Sequence, residues 1–160
     1  MRLRHRLNEE RGTSLVEFAL VLPLLLLILF GVLDFGKAFN YRNDQTHLAA
    51  EGARWAVVNT NPGSGSLQQY IKDSADSTEL RNLAQVCISF PTNSATGTSG
   101  QVGDPVTVTV KSNYNWIPFL SSGAGGGLSL PSSISGSATM RLEAPPTSYS
   151  AGSGGTGSCT

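Results

Sequence analysis

The chain has 160 residues, which is room for one modest domain and an anchor but not for a second large core. Eleven basic and eleven acidic residues give a formal net charge of zero. Nothing therefore favours a polyanionic partner, and we expect no binding to DNA or RNA. The charges are unevenly placed, since the first twelve residues hold Arg2, Arg4, Arg6 and Arg11 against Glu9 and Glu10.

An apolar segment follows this basic start directly. Residues 18–33 (FALVLPLLLLILFGVL) carry no charge, and the wider segment from Thr13 to Phe35 has 23 residues. As a helix it would be about 34 Å long, enough to cross a bilayer core of about 30 Å with some tilt. Because the arginines precede it, the positive-inside rule predicts a cytoplasmic N-terminus and an extracytoplasmic remainder. We therefore predict a single-pass protein of the cell membrane.

A cleaved secretory signal is the competing interpretation, because it also joins a basic region to an apolar one. Its apolar core is usually only about 7–15 residues long, shorter than the stretch found here. The stretch also contains Glu17 near its start, and its best small-residue cleavage motif, GKA at 36–38, lies inside a continuing helical pattern. These observations favour a membrane helix.

The helical pattern continues beyond the apolar segment. A stripe with spacings of three and four, much of it small, is formed by Ala38, Phe39, Arg42, Thr46, Ala49, Ala53, Ala56 and Val57. The residues NTNPG at 59–63 end it, since proline cannot continue a helix and glycine turns readily. We predict one helix from about Ser14 to Asn59, with about half of its length protruding from the membrane.

Two short helices, or one kinked helix, are predicted within residues 67–84. Ser66 and Gln69 form a capping box ahead of the first. Asp76 and Glu79 mark a weaker second start. Apolar residues at helical spacing follow each start, as an amphipathic helix requires.

Three later segments alternate with the period of two that half-buried strands require. Their apolar faces are Val86, Ile88 and Phe90; Val106, Val108, Val110, Tyr114 and Trp116; and Ile134, Ala138, Met140 and Leu142. They predict a small antiparallel sheet with one polar face. Its apolar face needs a cover, which the helices can provide. We therefore predict an α+β fold, in which a long N-terminal helix and short helices pack against this sheet.

The chain thus divides into five segments. They are a cytoplasmic leader (1–12), a transmembrane helix (13–36), a protruding helix (37–60), an extracytoplasmic α+β domain (61–144) and a flexible Gly/Ser tail (145–160). Both cysteines, Cys87 and Cys159, follow the span. In an oxidising exterior they are candidates for a disulfide that would hold the tail against the first strand. Two unpaired thiols are the alternative.

No catalytic constellation is visible in the sequence. It has no glycine-rich phosphate loop, paired-histidine metal motif or nucleophile elbow. His5 lies in the leader and His47 on the protruding helix, and a catalytic base needs a positioned nucleophile or an orienting partner. We expect a protein that is not an enzyme and has no cofactor and no metal site.

Glu17 needs an explanation of its own. A carboxylate costs roughly 2.5–3.5 kcal/mol near the centre of a bilayer and less near its edge. Glu17 could stay solvated at the cytoplasmic interface, with Arg11 helping to neutralise it. Alternatively, it meets an electropositive partner inside the membrane or inside an assembly.

Four motifs lie along the predicted helix: RGTSLVEFAL at 11–20, Leu-Pro at 22–23, DFG at 34–36 and AAEGAR at 49–54. They resemble TadE-like proteins of tight-adherence (Flp) pilus systems over about residues 11–58. The later ATMRLE at 138–143 is similar to family tails, as a weaker signal.

This resemblance implies type IV pilin-like processing by a membrane-embedded prepilin peptidase. The cut would fall between Gly12 and Thr13, which makes Glu17 the fifth mature residue. Glu17 could then pair with the Thr13 ammonium group of a neighbouring subunit. Pro23 would lie where pilin-like helices often bend. The implied partners are the membrane, the peptidase, other pilin-like subunits and the pilus assembly machinery.

The chain is longer than the resemblance alone would require. Major pilins of these systems are little more than the helix, whereas about a hundred residues follow it here. We therefore expect a TadE-like pseudopilin or minor pilin that takes part in assembly or adhesion of the pilus. The alternative is an uncleaved, membrane-anchored extracytoplasmic binding or adhesion module.

Overall fold

The computed structural model describes residues 3–115, 131–147 and 158–159. In chain order its elements are α1 (Leu3–Val57), α2 (Leu67–Asp73), α3 (Thr78–Leu83), β1 (Gln85–Ser89), β2 (Pro105–Asn115), β3 (Pro131–Arg141) and β4 (Ser158–Cys159). A long N-terminal helix, two short helices and a small antiparallel sheet confirm the α+β prediction.

The sheet has the strand order β3-β2-β1-β4, and all neighbouring strands are antiparallel. β2 and β3 pair over eleven residues each, while β4 adds two residues beside β1. The sequence predicted three of these strands, because two residues of a polar tail show no alternation. Cys159 of β4 lies directly opposite Cys87 of β1, and a disulfide joins them. Trp116, residues 148–157 and Thr160 lie outside the described residues.

The apolar face of the sheet is buried as the alternation predicts. Val86, Ile88, Val106, Val108 and Val110 have no exposed surface. Their sequence neighbours face the other way and are at least partly exposed. Side chains on one face of a sheet therefore form the core.

The second part of α1 covers this face. Its buried residues are Ala38, Tyr41, Asp44, Gln45, Leu48, Ala49, Gly52, Ala53, Ala56 and Val57. Helix and sheet come very close, since a Cβ at Gly136 of β3 would lie 2.5 Å from the Thr46 nitrogen and 2.6 Å from the Gln45 carbonyl carbon. The predicted stripe was wrong at Phe39, Arg42 and Thr46, whose side chains are exposed.

The observed bounds of α1 differ from the predicted ones. The helix begins at Leu3 instead of Ser14, because the leader is rich in arginine, leucine and glutamate, which favour helices. It ends at Val57, and Asn59 takes a positive φ of 53° as its N–H donates to the Ala56 carbonyl at 3.2 Å. Asparagine tolerates this left-handed conformation at a helix end.

The short helices begin with serine caps. The Ser66 hydroxyl accepts the Gln69 N–H at 3.1 Å, as the capping box predicts, but the Gln69 amide donates to Asp73. In α3 the cap is Ser77, whose hydroxyl accepts the Leu80 N–H at 3.1 Å. The second predicted start was therefore one residue early, which leaves Glu79 free to contact α1.

Candidate functional site

The helix α1 has two halves in different surroundings. We term residues 12–36 the apolar half and residues 37–57 the packed half. The packed half, α2, α3 and the sheet together are termed the sheet domain. Among residues 12–36, none is buried, and every Leu, Ile, Val and Phe of 24–30 keeps more than a third of its surface exposed. Contiguous apolar surface of this size is unusual on a soluble monomer. By length and composition, α1 can cross a membrane once.

The predicted processing and assembly residues all lie in the apolar half. Gly12 and Thr13 are helical, and a Cβ at Gly12 would meet nothing within 4 Å. Glu17 is exposed one turn further on, on the same face as Thr13. It forms no hydrogen bond or ion pair with any side chain that the structure describes. Pro23 lies within the helix, and the disulfide lies apart from these residues at the edge of the sheet.

Where the apolar half ends, five polar side chains tie α1 to the sheet domain. The Tyr114 hydroxyl donates to the Asp34 carboxylate at 2.6 Å, and the rings of Tyr114 and Tyr41 meet edge to face at 5.6 Å. The Tyr41 hydroxyl donates to Glu79 Oε2 at 2.6 Å. Lys37 Nζ forms an ion pair with the same oxygen at 2.8 Å. We term these residues the junction cluster; they connect α1 with β2 and α3.

Contacts within the junction cluster shift its pKa values. The hydrogen bond to Glu79 raises the pKa of Lys37, and the hydrogen bonds from Lys37 and Tyr41 lower the pKa of Glu79. Burial, followed by the hydrogen bond to Asp34, raises the pKa of Tyr114. Burial and the contact with Glu79 raise the pKa of Tyr41. At neutral pH both tyrosines are therefore neutral donors, and Glu79 is an anionic acceptor.

Sequence reasoning missed the junction cluster. Asp34 stood out only as part of a family motif, and Tyr114 only as an apolar strand residue. A local signal exists, because Asp34, Lys37 and Tyr41 have spacings of three and four at the end of an uncharged run. Their partners Glu79 and Tyr114 could not be found this way, since they follow 38 and 80 residues later in the chain.

The buried carboxylate Asp104 anchors a loop. It accepts hydrogen bonds from the Asn93 amide and the Thr98 hydroxyl, both at 2.9 Å, and from the Gln101 N–H at 3.1 Å. These bonds, that of Asn93 above all, lower the pKa of Asp104. Its oxygens are used by donors of its own loop. In the part of the chain that the structure describes, no group of three or more His, Cys, Asp or Glu could hold a metal ion.

Two open grooves follow the exposed side of the packed half. One, of about 430 Å³, is lined by His47, Ala50, Glu51, Arg54, Trp55 and Val58. The other, of about 610 Å³, is lined by Gly36, Phe39, Asn40, Arg42, Asn43 and Thr46. Neither set includes a serine or cysteine side chain.

A helix that leaves half its length apolar and uncovered, and packs the other half on a small antiparallel sheet, defines a pilin-like α+β protein suited to single-pass membrane anchoring. The model of the family described as TadE-like protein matches residues 12–54. This match confirms the resemblance over these residues, and the family it points to is one of minor pilin-like proteins associated with Tad pili. The match covers the apolar half and most of the packed half, and ends before α2. No curated protein and no solved structure matches the chain.

Proposed function

We propose that the protein is a TadE-like pseudopilin that takes part in assembly or adhesion of a tight-adherence (Flp) pilus. The observation that carries this proposal is the division of α1 within the family match. Its apolar half contains no buried residue, and its packed half carries a folded domain. An uncovered apolar helix can lie in lipid or among other apolar helices. A pilus subunit needs both states in turn.

Processing is the first proposed step. A prepilin peptidase would cut between Gly12 and Thr13 and leave the Thr13 ammonium group at the new N-terminus. The bond lies inside a helix, so we expect the backbone to unwind locally before cleavage. Glycine eases this step, because it is about 1 kcal/mol less favourable than alanine within a helix.

Pairing between subunits is the second step. Glu17 has no partner among the described side chains of its own chain, and an isolated carboxylate in an apolar environment is costly. The Thr13 ammonium group of a neighbouring subunit would offset that cost. Pro23 removes one helical hydrogen bond, which lets the helix bend as it docks.

The sheet domain would then lie outside the cytoplasm. The arginines before the apolar half favour this orientation, and the Cys87–Cys159 disulfide fits an oxidising compartment. The domain would cap, prime or bind at the assembly. The machinery that extracts the helix would be its partner in the membrane.

Exchange of Glu17 tests the assembly role. Glu17→Val should insert into the membrane normally, because valine is more compatible with lipid than glutamate. Co-purification with pilin partners and the number of pili in the native host should both fall, and Glu17→Asp should recover part of the loss. Glu143→Val is the matched control, since Glu143 is an exposed carboxylate of the sheet domain. Normal pili with Glu17→Val would overturn the pairing step.

The uncleaved anchored module is the second candidate function, and the continuity of α1 through Gly12 and Thr13 favours it. Mass spectrometry of protein from the native host distinguishes the two. Processing predicts a species that begins at Thr13, and Gly12→Leu should accumulate as the full-length form. Because Gly12 has open space around its Cβ position, that accumulation would report on the peptidase and not on misfolding. Finding only Met1-containing protein from the unchanged sequence would favour the permanent anchor.

A further inference from the structure

The exposed face of α1 at the end of the apolar half carries two aromatic rings. Phe35 and Phe39 are 57% and 63% exposed, although they are large and apolar. Their ring centroids lie 5.5 Å apart, so they form one apolar surface at the point where the predicted span ends. Amphipathic aromatic residues collect at this depth of a bilayer, and a phenylalanine pair can occupy its apolar side.

A groove continues this surface away from the span. It has a volume of about 610 Å³ and contains one cation, Arg42, and two amides, Asn40 and Asn43, among its described residues. The guanidinium of Arg42 forms no ion pair with the described carboxylates, whereas Lys37, the other nearby cation, is paired with Glu79. The groove therefore combines an unneutralised positive charge with hydrogen-bond donors.

The distances fit the headgroup layer. Arg42 lies six residues beyond Gly36, about 9 Å along the helix, and the headgroup layer is about 5–8 Å thick on each side of the hydrocarbon core. Side chains of a helix lean toward its N-terminus, which for Arg42 and Phe39 is toward the apolar half. A long arginine side chain can therefore place its guanidinium among lipid phosphates.

We propose that this groove is a headgroup site for an anionic phospholipid. Arg42 binds the phosphate, because its planar guanidinium matches phosphate oxygens in a two-pronged contact. Asn40 and Asn43 donate to the headgroup oxygens, and Phe35 and Phe39 lie against the glycerol and upper acyl chains. The inference rests on the proposed membrane span, and it adds a ligand to residues 35–43 of α1, which neither processing nor pairing through Glu17 uses.

Native mass spectrometry of the full chain in detergent, with added phosphatidylglycerol or phosphatidylcholine, tests the site. The unchanged protein should retain phosphatidylglycerol preferentially. Arg42→Gln should weaken that binding about fivefold, as expected for about 1 kcal/mol per basic residue at an anionic surface. Phe39→Ala should weaken the binding of both lipids. Arg54→Gln is the matched control, because it removes the same charge from an exposed position of α1 about 18 Å further out.

The outcomes separate this site from its alternatives. An equal loss with Arg42→Gln and Arg54→Gln would mean attraction by net charge, and unchanged binding in Arg42→Gln would mean no site; either result overturns the proposal. Unchanged lipid binding with lost co-purification of pilin partners would assign the groove to a protein instead. Glu17→Val should keep the bound lipid, so failure of the assembly role can be distinguished from failure of the headgroup site.

Discussion

The two halves of α1 belong to one continuous helix but obey opposite rules. In the apolar half the large side chains, such as Leu24 and Ile28, are exposed, while in the packed half the small ones, such as Ala49 and Ala53, are completely buried. Hydrophobicity alone therefore does not mark the core of this fold. The apolar half exposes its large side chains, as a helix suited to a membrane does. The packed half uses small residues to bring a helix close to a sheet.

The largest effect should come from opening the disulfide, which acts only on the sheet domain. Cys87 and Cys159 are 72 residues apart, and in the chain-entropy model a loop of that size stabilises by roughly 4 kcal/mol. Cys159→Ser should lower the free energy of unfolding of the sheet domain by about that amount, measured by urea titration in detergent. Helicity of the apolar half, followed by circular dichroism, should persist beyond this transition. Two freely alkylated thiols in oxidised protein would contradict the prediction.

The next effect compares one substitution in the two regions. Gly136→Ala places a Cβ against the backbone of α1 at Thr46, where no side-chain rotation can relieve the contact. Overpacking of this kind costs roughly 1–3 kcal/mol, and we expect the upper end in urea titration. Gly31→Ala, in the apolar half, meets nothing within 4 Å and should leave the sheet domain unchanged. Equal stability of both variants would mean that α1 does not pack closely on β3.

A smaller loss of stability is expected from a substitution in the junction cluster, where the apolar half ends. Tyr114→Phe removes the 2.6 Å hydrogen bond to the Asp34 carboxylate, and a bond to a charged group contributes about 1.5–3 kcal/mol. The thermal midpoint should fall accordingly. Tyr70→Phe is the control, since it removes a longer hydroxyl contact of 3.3 Å with Glu51 and should cost less. The reverse order would show that the junction cluster does not secure α1.

The smallest effect is a pH dependence of the same junction. Because the folded state lowers the pKa of Glu79, its contribution is complete above the ordinary value of 4.5 and is lost as the pH falls through the lowered pKa. Lys37 behaves in the opposite way, and its contribution is lost as the pH rises above 10.5 through the raised pKa. Glu79 and Lys37 are about half exposed, so we expect less than about 1 kcal/mol.

Glu79→Gln should therefore lose part of the acid-induced drop in the thermal midpoint between pH 5 and pH 2. Asp104, whose pKa is also lowered, leaves a residual acid dependence in that variant. An unchanged acid profile would show that the ion pair contributes nothing to stability.

Local patterns predicted most of the fold. The alternation around Val106 and Val108 identified the buried face of the sheet, and the capping box at Ser66 predicted the start of α2. Both patterns could be recognised because each involves only a few neighbouring residues. The face of α1 was harder, since Phe39 and Ala38 are equally acceptable in a helix and only the sheet decides which is buried. The close approach of Gly136 to Thr46 could not be predicted from the sequence, because it depends on two segments that are 90 residues apart.

The candidate site divides in the same way. Glu17 stood out because a charge in an apolar run is locally costly. Tyr114 and Glu79 could not be linked to Asp34 and Tyr41, because hydroxyl–carboxylate contacts across elements leave no periodic trace. A two-residue strand such as Ser158–Cys159 is too short to show any alternation. Only the presence of two cysteines, a possible disulfide pair, indicated that this segment lies beside the first strand.

The continuity of α1 has a mechanical consequence. The middle of the apolar half and the middle of the packed half are separated by about 23 residues, or about 35 Å. The junction cluster joins α1 to β2 and α3 at the end of the apolar half. If α1 tilts by about 20°, a common angle for helices in membranes, the middle of the packed half moves sideways by about 12 Å relative to the middle of the apolar half. A small change of angle at the apolar end is thereby amplified into a large displacement at the end that carries the sheet.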